Sequence, residues 1–147
     1  MRCKPGWRLA LPVLALLAGP TIDAPAAPAI DAPAIDAPAI DWAHATLVTV
    51  VEVEYRFVPN HLVFRRGLAY RLHVVNRGRE LHELTAPAFF KTVRLHNPGA
   101  LGPDHRQLVV DPGTEKDIYF IPKRAGRYDM RCADHDWAGM TGEITVK

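Results

Sequence analysis

This 147-residue sequence lacks the features that mark several large functional classes. It has no glycine-rich loop of the phosphate-binding kind, and its formal net charge is only +2. Basic and acidic residues are interspersed rather than gathered in runs, which argues against a nucleic-acid-binding arm. The apolar stretch Leu9–Ala18 is about half as long as the roughly 20 residues that a membrane-spanning helix needs. We therefore expect no nucleic-acid partner and no stable membrane insertion.

The N-terminus predicts export. Arg2, Lys4 and Arg8 form a positive segment around the start of the ten-residue apolar stretch, as in a secretory signal peptide. We therefore expect the protein in the periplasm or secreted. Cys3 precedes the apolar stretch and is removed with it, so the mature chain keeps one of the two cysteines, Cys132.

Residues 19–41 are a low-complexity segment of Ala, Pro, Ile and Asp. The unit Ala-Ile-Asp-Ala-Pro begins at Ala29 and again at Ala34. Frequent proline without aromatic residues predicts an extended, solvated segment with no activity of its own. The signature Ala43-His44-Ala45 is a candidate cleavage site, and cleavage near Gly19 is the alternative. We assign residues 1–45 to the leader and this segment, and residues 46–147 to one folded domain.

The pattern from Thr46 onward is typical of an all-β domain. Its fifteen Lys and Arg residues against twelve Asp and Glu give it a charge of +3. Runs rich in β-branched and aromatic residues alternate with turns that contain Gly and Pro, and no window keeps a helical period. The predicted strands are 47–57, 62–65, 70–76, 107–110, 116–121, 127–132 and 143–146, whereas 84–105 predicts a short helix or a long crossover.

One loop carries most of the metal-binding chemistry. Cys132 ends a predicted strand, and His135 and Met140 follow it before the last strand begins. Copper accepts thiolate and thioether when reduced and imidazole in both oxidation states, so this set of donors suits copper. A lone buried cysteine that acts only as a small hydrophobe is the alternative at this point.

His82 supplies the fourth predicted donor. It follows the strand that ends at Asn76, and a β-sandwich can bring that strand end beside the Cys132 loop. The result is a trigonal His2Cys set with a weak axial methionine, the arrangement of blue-copper electron-transfer sites. The predicted metal ligands are His82, Cys132, His135 and Met140.

These residues resemble the cupredoxins, in particular the small plastocyanin-like and pseudoazurin-like copper proteins. The resemblance rests on the 57–59 segment FVP, the spacing from Asn76 to His82, the turn DPGT at 111–114, and YDMRCADHDWAGMTG at 128–142. It implies a Greek-key β-sandwich that holds one copper ion per chain, cycling between Cu(I) and Cu(II). It implies a monomeric one-electron carrier rather than an enzyme, with a redox protein such as a cytochrome or an oxidoreductase as partner. It also implies that His135 is the solvent-side ligand through which the electron leaves, within an apolar patch.

The sequence departs from that family at two positions. Many cupredoxins have asparagine after the first histidine ligand and serine or threonine after the cysteine, and the two side chains tie the ligand loops together. Glu83 and Ala133 stand at these positions, so that tie cannot form. The resemblance still implies a hydrogen bond from the Glu83 N–H to the Cys132 sulfur. A carboxylate ligand from Glu83 is the alternative to Met140.

Three other classes of protein use similar donors. A periplasmic copper-delivery or storage protein needs a more open, exchangeable site. A structural zinc module is disfavoured because methionine is a poor zinc ligand. A multicopper oxidase or nitrite reductase needs further copper sites, and the domain has no HxH motif that could supply them.

The remaining aromatic and sulfur side chains have other interpretations. Met130 lies two residues before Cys132 on the same strand face, which predicts core packing. Trp137 either faces a docking partner or folds inward over the site. The other histidines are expected to be structural or on the surface: His44, His61, His73, His96 and His105.

Overall fold

The computed structural model describes residues 39–147, which form two five-stranded sheets packed into a sandwich. The only α-helix in this part of the chain is α1 (Pro87–Phe90), and short 3-10 turns lie at Trp42–His44, Pro98–Ala100 and Asp136–Ala138. The strands of the described part are β1 (Thr46–Val53), β2 (Arg56–Val58), β3 (His61–Phe64), β4 (Tyr70–Asn76), β5 (His82–Thr85), β6 (Val93–Leu95), β7 (Gln107–Val110), β8 (Glu115–Pro122), β9 (Gly126–Arg131) and β10 (Thr141–Val146).

The all-β prediction is confirmed, with two local differences. The run predicted as a single strand over 47–57 is broken into β1 and β2, which pair antiparallel with Val53 opposite Arg56. Glu54 and Tyr55 are left as the turn between them. The run contains no Gly, Pro, Asn or Asp, so the sequence carried no turn signal there. The second difference concerns the stretch 84–105, which was predicted as a short helix or a long crossover. It contains the helix α1, but it also contains the strand β6, and residues 82–85 form the strand β5, which was not predicted.

The core lies between the two sheets, and alternate side chains of their strands point into it. One sheet has the order β2-β1-β4-β8-β6, and the other has β3-β10-β9-β5-β7. In β4 every second side chain from Tyr70 to Asn76 is buried, as expected for a strand with one face on the core. β5 is buried on both faces.

Aromatic rings fill the core near the start of β4. The ring of Phe64 packs 4.8 Å from that of Tyr70 and 5.2 Å from that of Phe120, measured between centroids. Phe89 of α1 lies 5.2 Å from Phe120 in an edge-to-face arrangement. Aromatic pairs of this geometry stabilise by about 0.5–1.5 kcal/mol each beyond their burial.

The topology brings two strand connections together at the opposite end of β4. The loop 77–81 leads from Asn76 to His82, the first residue of β5. β5 pairs with β9 through Thr85 and Arg131, so Cys132, which follows Arg131, lies next to the start of β5. Segments 77–82 and 132–140 therefore meet at one end of the sandwich.

The predicted signal peptide and most of the low-complexity segment lie outside the described residues. Within 39–147, no helix has the length and apolar character needed to cross a membrane.

Candidate metal centre

Three of the four predicted ligands converge on one point. The Nδ1 atom of His82 lies 3.2 Å from Nδ1 of His135 and 4.0 Å from Sγ of Cys132, and Sγ lies 3.4 Å from Nδ1 of His135. A point equidistant from these three atoms is about 2.1 Å from each, which lies within the usual range of about 2.0–2.3 Å for metal–nitrogen and metal–thiolate bonds. The two imidazoles and the sulfur therefore fit a first-row metal ion in a trigonal arrangement.

This set of donors is almost entirely enclosed by protein. His82 and Cys132 are fully buried, and the His135 side chain is 12% exposed. His82 is held by β5 and Cys132 by the end of β9, so both come from paired strand ends rather than from long loops. Buried donors on a rigid framework favour retention of a metal over ready exchange.

Met140 lies beside Cys132 through the backbone of the ligand loop. The Cys132 N–H donates to the Met140 carbonyl at 3.0 Å, and the Met140 N–H donates to the His135 carbonyl at 3.2 Å. Between them, Gly139 takes φ +87°, a left-handed conformation that favours glycine and lets the 3-10 turn end sharply. The Met140 side chain is fully buried. Its role as a weak axial ligand stays a prediction from the sequence.

Burial controls the protonation of the donors. It raises the pKa of the Cys132 thiol, while hydrogen bonding from the backbone N–H groups of Glu83, Asp134 and His135 opposes that rise. The contribution from the Glu83 N–H is the one that the resemblance implied. Burial, and then the charge of His135, lower the pKa of His82, which favours the neutral imidazole that a metal requires.

The Glu83 side chain bonds to a residue outside the three converging donors. Its Oε1 accepts a hydrogen bond from Gln107 Nε2 at 3.3 Å, and its carboxyl does not belong to the His82–Cys132–His135 group. Burial raises the pKa of Glu83, as does the charge of Asp134, whereas the nearby Ala133 N–H lowers it. The Ala133 N–H of segment 132–140 thus stabilises the charged form of the Glu83 carboxyl, although the side-chain bond common in cupredoxins is missing.

Two residues that the sequence did not single out cover His135. Oε2 of Glu80 lies 2.8 Å from Nε2 of His135, and the Tyr55 ring packs 4.9 Å from the imidazole, measured between centroids. The expected apolar patch around His135 therefore contains a carboxylate. No spacing rule would have found Glu80 or Tyr55, because their approach depends on the turn after β1 and on the loop 77–81.

Trp137 is exposed on the same end of the sandwich. Its side chain is 77% exposed, so it does not fold inward over the site, and its ring lies 6.0 Å from that of Tyr55. Met130, in contrast, is buried in the core as expected.

The other histidines of the described residues have contacts outside the site. His61 bonds to the Thr145 hydroxyl at 3.0 Å, and His73 bonds to Asp117 at 2.9 Å. His96 stacks on Trp42, His44 contacts Asp41, and His105 lies in a turn before β7.

Solved structures share this fold at low sequence identity. Auracyanin B is 20% identical to the chain, and the match covers 70% of this chain and 89% of that one with a TM-score of 0.52. Sodium-dithionite-reduced auracyanin from the photosynthetic bacterium Roseiflexus castenholzii is 17% identical, with coverages of 70% and 98% and a TM-score of 0.53. No protein-family model matches the chain, and no curated protein sequence matches it. The structural similarities establish the fold and confirm the two-sheet sandwich predicted from the sequence.

Proposed function

We propose that this chain, whose folded domain has the cupredoxin fold, is a mononuclear type 1 copper protein that carries single electrons between redox partners. The observation that supports this most directly is the convergence of two imidazole Nδ1 atoms and one thiol sulfur within 4.0 Å of one another in a buried site. Two imidazoles and one thiolate, with a methionine nearby, form the donor set of blue-copper sites.

In this proposal His82, Cys132 and His135 would hold the metal, and Met140 would supply a fourth, weaker donor. A bound copper ion would supply the one-electron Cu(I)/Cu(II) couple. The chain's own residues hold the donors in one arrangement: β5 fixes His82, β9 fixes Cys132, and backbone hydrogen bonds close the loop from Cys132 to Met140. A framework that moves little when the charge of the metal changes favours fast electron transfer.

Burial of the donors favours an electron carrier over copper delivery or storage. Delivery requires that a ligand be displaced by an incoming donor, and the site offers only the partly exposed edge of His135. Trp137, two residues after His135, and Leu81, next to Glu80 in the chain, are exposed large apolar side chains. We propose that this end of the domain meets a redox protein, such as a cytochrome or an oxidoreductase.

Reconstitution with copper tests the function. We expect an intense visible thiolate-to-copper absorption band, reversible one-electron voltammetry, and retention of copper against a chelator. Copper bound without strong colour, or lost readily to the chelator, would support delivery or storage instead.

Ligand variants with matched controls test the site itself. His82→Ala is expected to abolish the colour, whereas His61→Ala, which removes an exposed histidine on β3, is expected to leave it intact. A His82→Ala protein with unchanged colour and affinity would contradict the proposed site.

A further inference from the structure

The outer nitrogen of His135 is bonded to a carboxylate. Nε2 of His135 lies 2.8 Å from Oε2 of Glu80, while Nδ1 of the same ring faces Cys132 Sγ at 3.4 Å. A neutral imidazole has one N–H and one lone pair. An acceptor at Nε2 therefore favours the tautomer that has its proton on Nε2 and its lone pair on Nδ1, directed at the other donors.

Glu80 is held in place by the loop that carries it. The amide of the fully buried Asn76 donates to the Glu80 carbonyl and to the Val110 carbonyl, each at 2.8 Å. The Gly78 N–H donates to the Asn76 side-chain oxygen at 2.8 Å. The Tyr55 hydroxyl lies 3.5 Å from the other Glu80 oxygen. These contacts restrict the loop on both sides of Glu80, so the carboxylate reaches His135 from an anchored backbone.

The other histidine of the site has no comparable partner. Nε2 of His82 is buried and has no hydrogen-bond partner within residues 39–147. Glu54, an acidic side chain whose charge acts on His82, accepts a hydrogen bond from the Arg79 N–H instead. Among the described residues a carboxylate thus bonds to only one of the two imidazoles, so the hydrogen bond of Glu80 acts on the site through His135.

We propose that Glu80 is a positioning residue that fixes the tautomer and orientation of His135, and that its negative charge lowers the reduction potential of the site. This inference rests on the proposed function. Outer carboxylate partners of metal-ligating histidines orient the ring and raise its basicity. A negative charge one imidazole away from the metal also stabilises Cu(II) more than Cu(I), because Cu(II) has the greater positive charge.

Two variants separate the charge from the hydrogen bond. Glu80→Gln removes the charge but keeps an oxygen that can accept from Nε2, whereas Glu80→Ala removes both. Glu115→Gln is the matched control, because it removes the same charge from an exposed side chain of β8. Glu80 is 49% exposed, so none of these changes creates a cavity in the core.

Copper affinity and voltammetry provide the first measurement. Loss of such a partner typically costs about 10–100-fold in metal affinity, and we expect Glu80→Ala to lose Cu(II) affinity within that range. If the loss is tenfold greater for Cu(II) than for Cu(I), the reduction potential rises by about 59 mV. Glu80→Gln should also raise the potential above that of Glu115→Gln. Potentials equal to that of the control in both Glu80 variants would overturn the effect on the potential.

Nitrogen NMR of the copper-free protein provides a measurement that does not depend on the bound metal. At a pH where His135 is neutral, we expect its proton almost entirely on Nε2 in the wild type and in Glu80→Gln. In Glu80→Ala we expect a mixture of both tautomers. The same tautomer ratio in all three proteins would refute the positioning role even if copper binds normally. A wild-type protein that fails to form a coloured copper site would instead refute the proposed function.

Discussion

Glu52 is a glutamate buried in the core of the sandwich. It lies on the same face of β1 as the buried Val50 and is fully inaccessible to solvent. Neither of its carboxyl oxygens has a hydrogen-bond partner among residues 39–147. Burial, assisted by the charge of Glu83, raises the pKa of Glu52 to about 8. We predict that Glu52→Gln makes the domain markedly less sensitive to rising pH.

The sign follows from proton linkage. The pKa of Glu52 is higher in the folded protein than its ordinary value of 4.5, so the folded state holds this proton when the unfolded chain has already lost it. The stability associated with the bound proton is fully present below pH 4.5 and is lost as the pH rises through about 8. A difference of one pKa unit corresponds to about 1.4 kcal/mol, so the loss between pH 5 and pH 8 is on the order of 3 kcal/mol. Glutamine has the same shape and no ionisable group, so the variant lacks this loss.

Urea unfolding of copper-free wild type and Glu52→Gln at several values from pH 5 to pH 8 measures the difference. At about 1–3 kcal/mol per molar urea, the midpoints of the two proteins should diverge by roughly 1–3 M across this range. Glu115→Gln is the control: it removes an exposed carboxylate of β8, and its curve should stay parallel to that of the wild type. Parallel curves for wild type and Glu52→Gln would show that Glu52 titrates alike in the folded and unfolded states, which would refute the reasoning.

Four further predictions concern the site. Cys132→Ser should abolish the intense thiolate-to-copper band. Wild-type protein in free copper at 1,000 times its dissociation constant should be about 4 kcal/mol more stable than the copper-free form, as measured by thermal melting. Gly78→Ala should destabilise the copper-free domain by about 1–3 kcal/mol, because its Cβ would lie 2.9 Å from His82 Nε2, whereas Gly99→Ala, with open space around it, should melt as the wild type does. Trp137→Ala should leave the visible spectrum and the potential unchanged but slow electron exchange with a redox partner, since this ring is exposed beside the site; an unchanged exchange rate would place the contact surface elsewhere.

The sequence predicted what depends on local pattern. β4 has the predicted bounds because Tyr70, Leu72 and Val74 alternate with less buried residues and Asn76 ends the run. The donors in 132–140 were also recognisable, because three metal-binding side chains within nine residues form a local signal. His82 required the further assumption that a sandwich brings two strand ends together, and the structure places its Nδ1 beside Cys132.

The sequence could not predict which face of the strand β1 is buried. The run LVTVVEV of β1 offers valines at alternate positions of both faces, so either face could have been buried. Pairing with β4 and β2 turns Val50 and Glu52 inward and leaves Val51 only half-buried. The contact between Glu80 and His135 was hidden for a similar reason, because it joins two loops 55 positions apart in the chain.

Buried polar groups are concentrated at one end of the sandwich. Apart from Glu52, the buried polar or charged side chains of the described residues lie within the short segment 76–85: Asn76, His82, Glu83 and Thr85. Tyr70, at the other end of β4, packs in the aromatic cluster with Phe64, and six residues of extended strand separate it from Asn76 by about 20 Å. A buried polar group without a partner lowers the stability of the fold, whereas aromatic packing raises it.

The end of the sandwich with Phe64 and Tyr70 therefore stabilises the domain. The opposite end, with His82, Cys132 and His135, keeps buried donors that packing alone does not explain. Because a ligand that binds only the folded state stabilises it by mass action, metal binding at His82, Cys132 and His135 would offset that cost at the end where it arises.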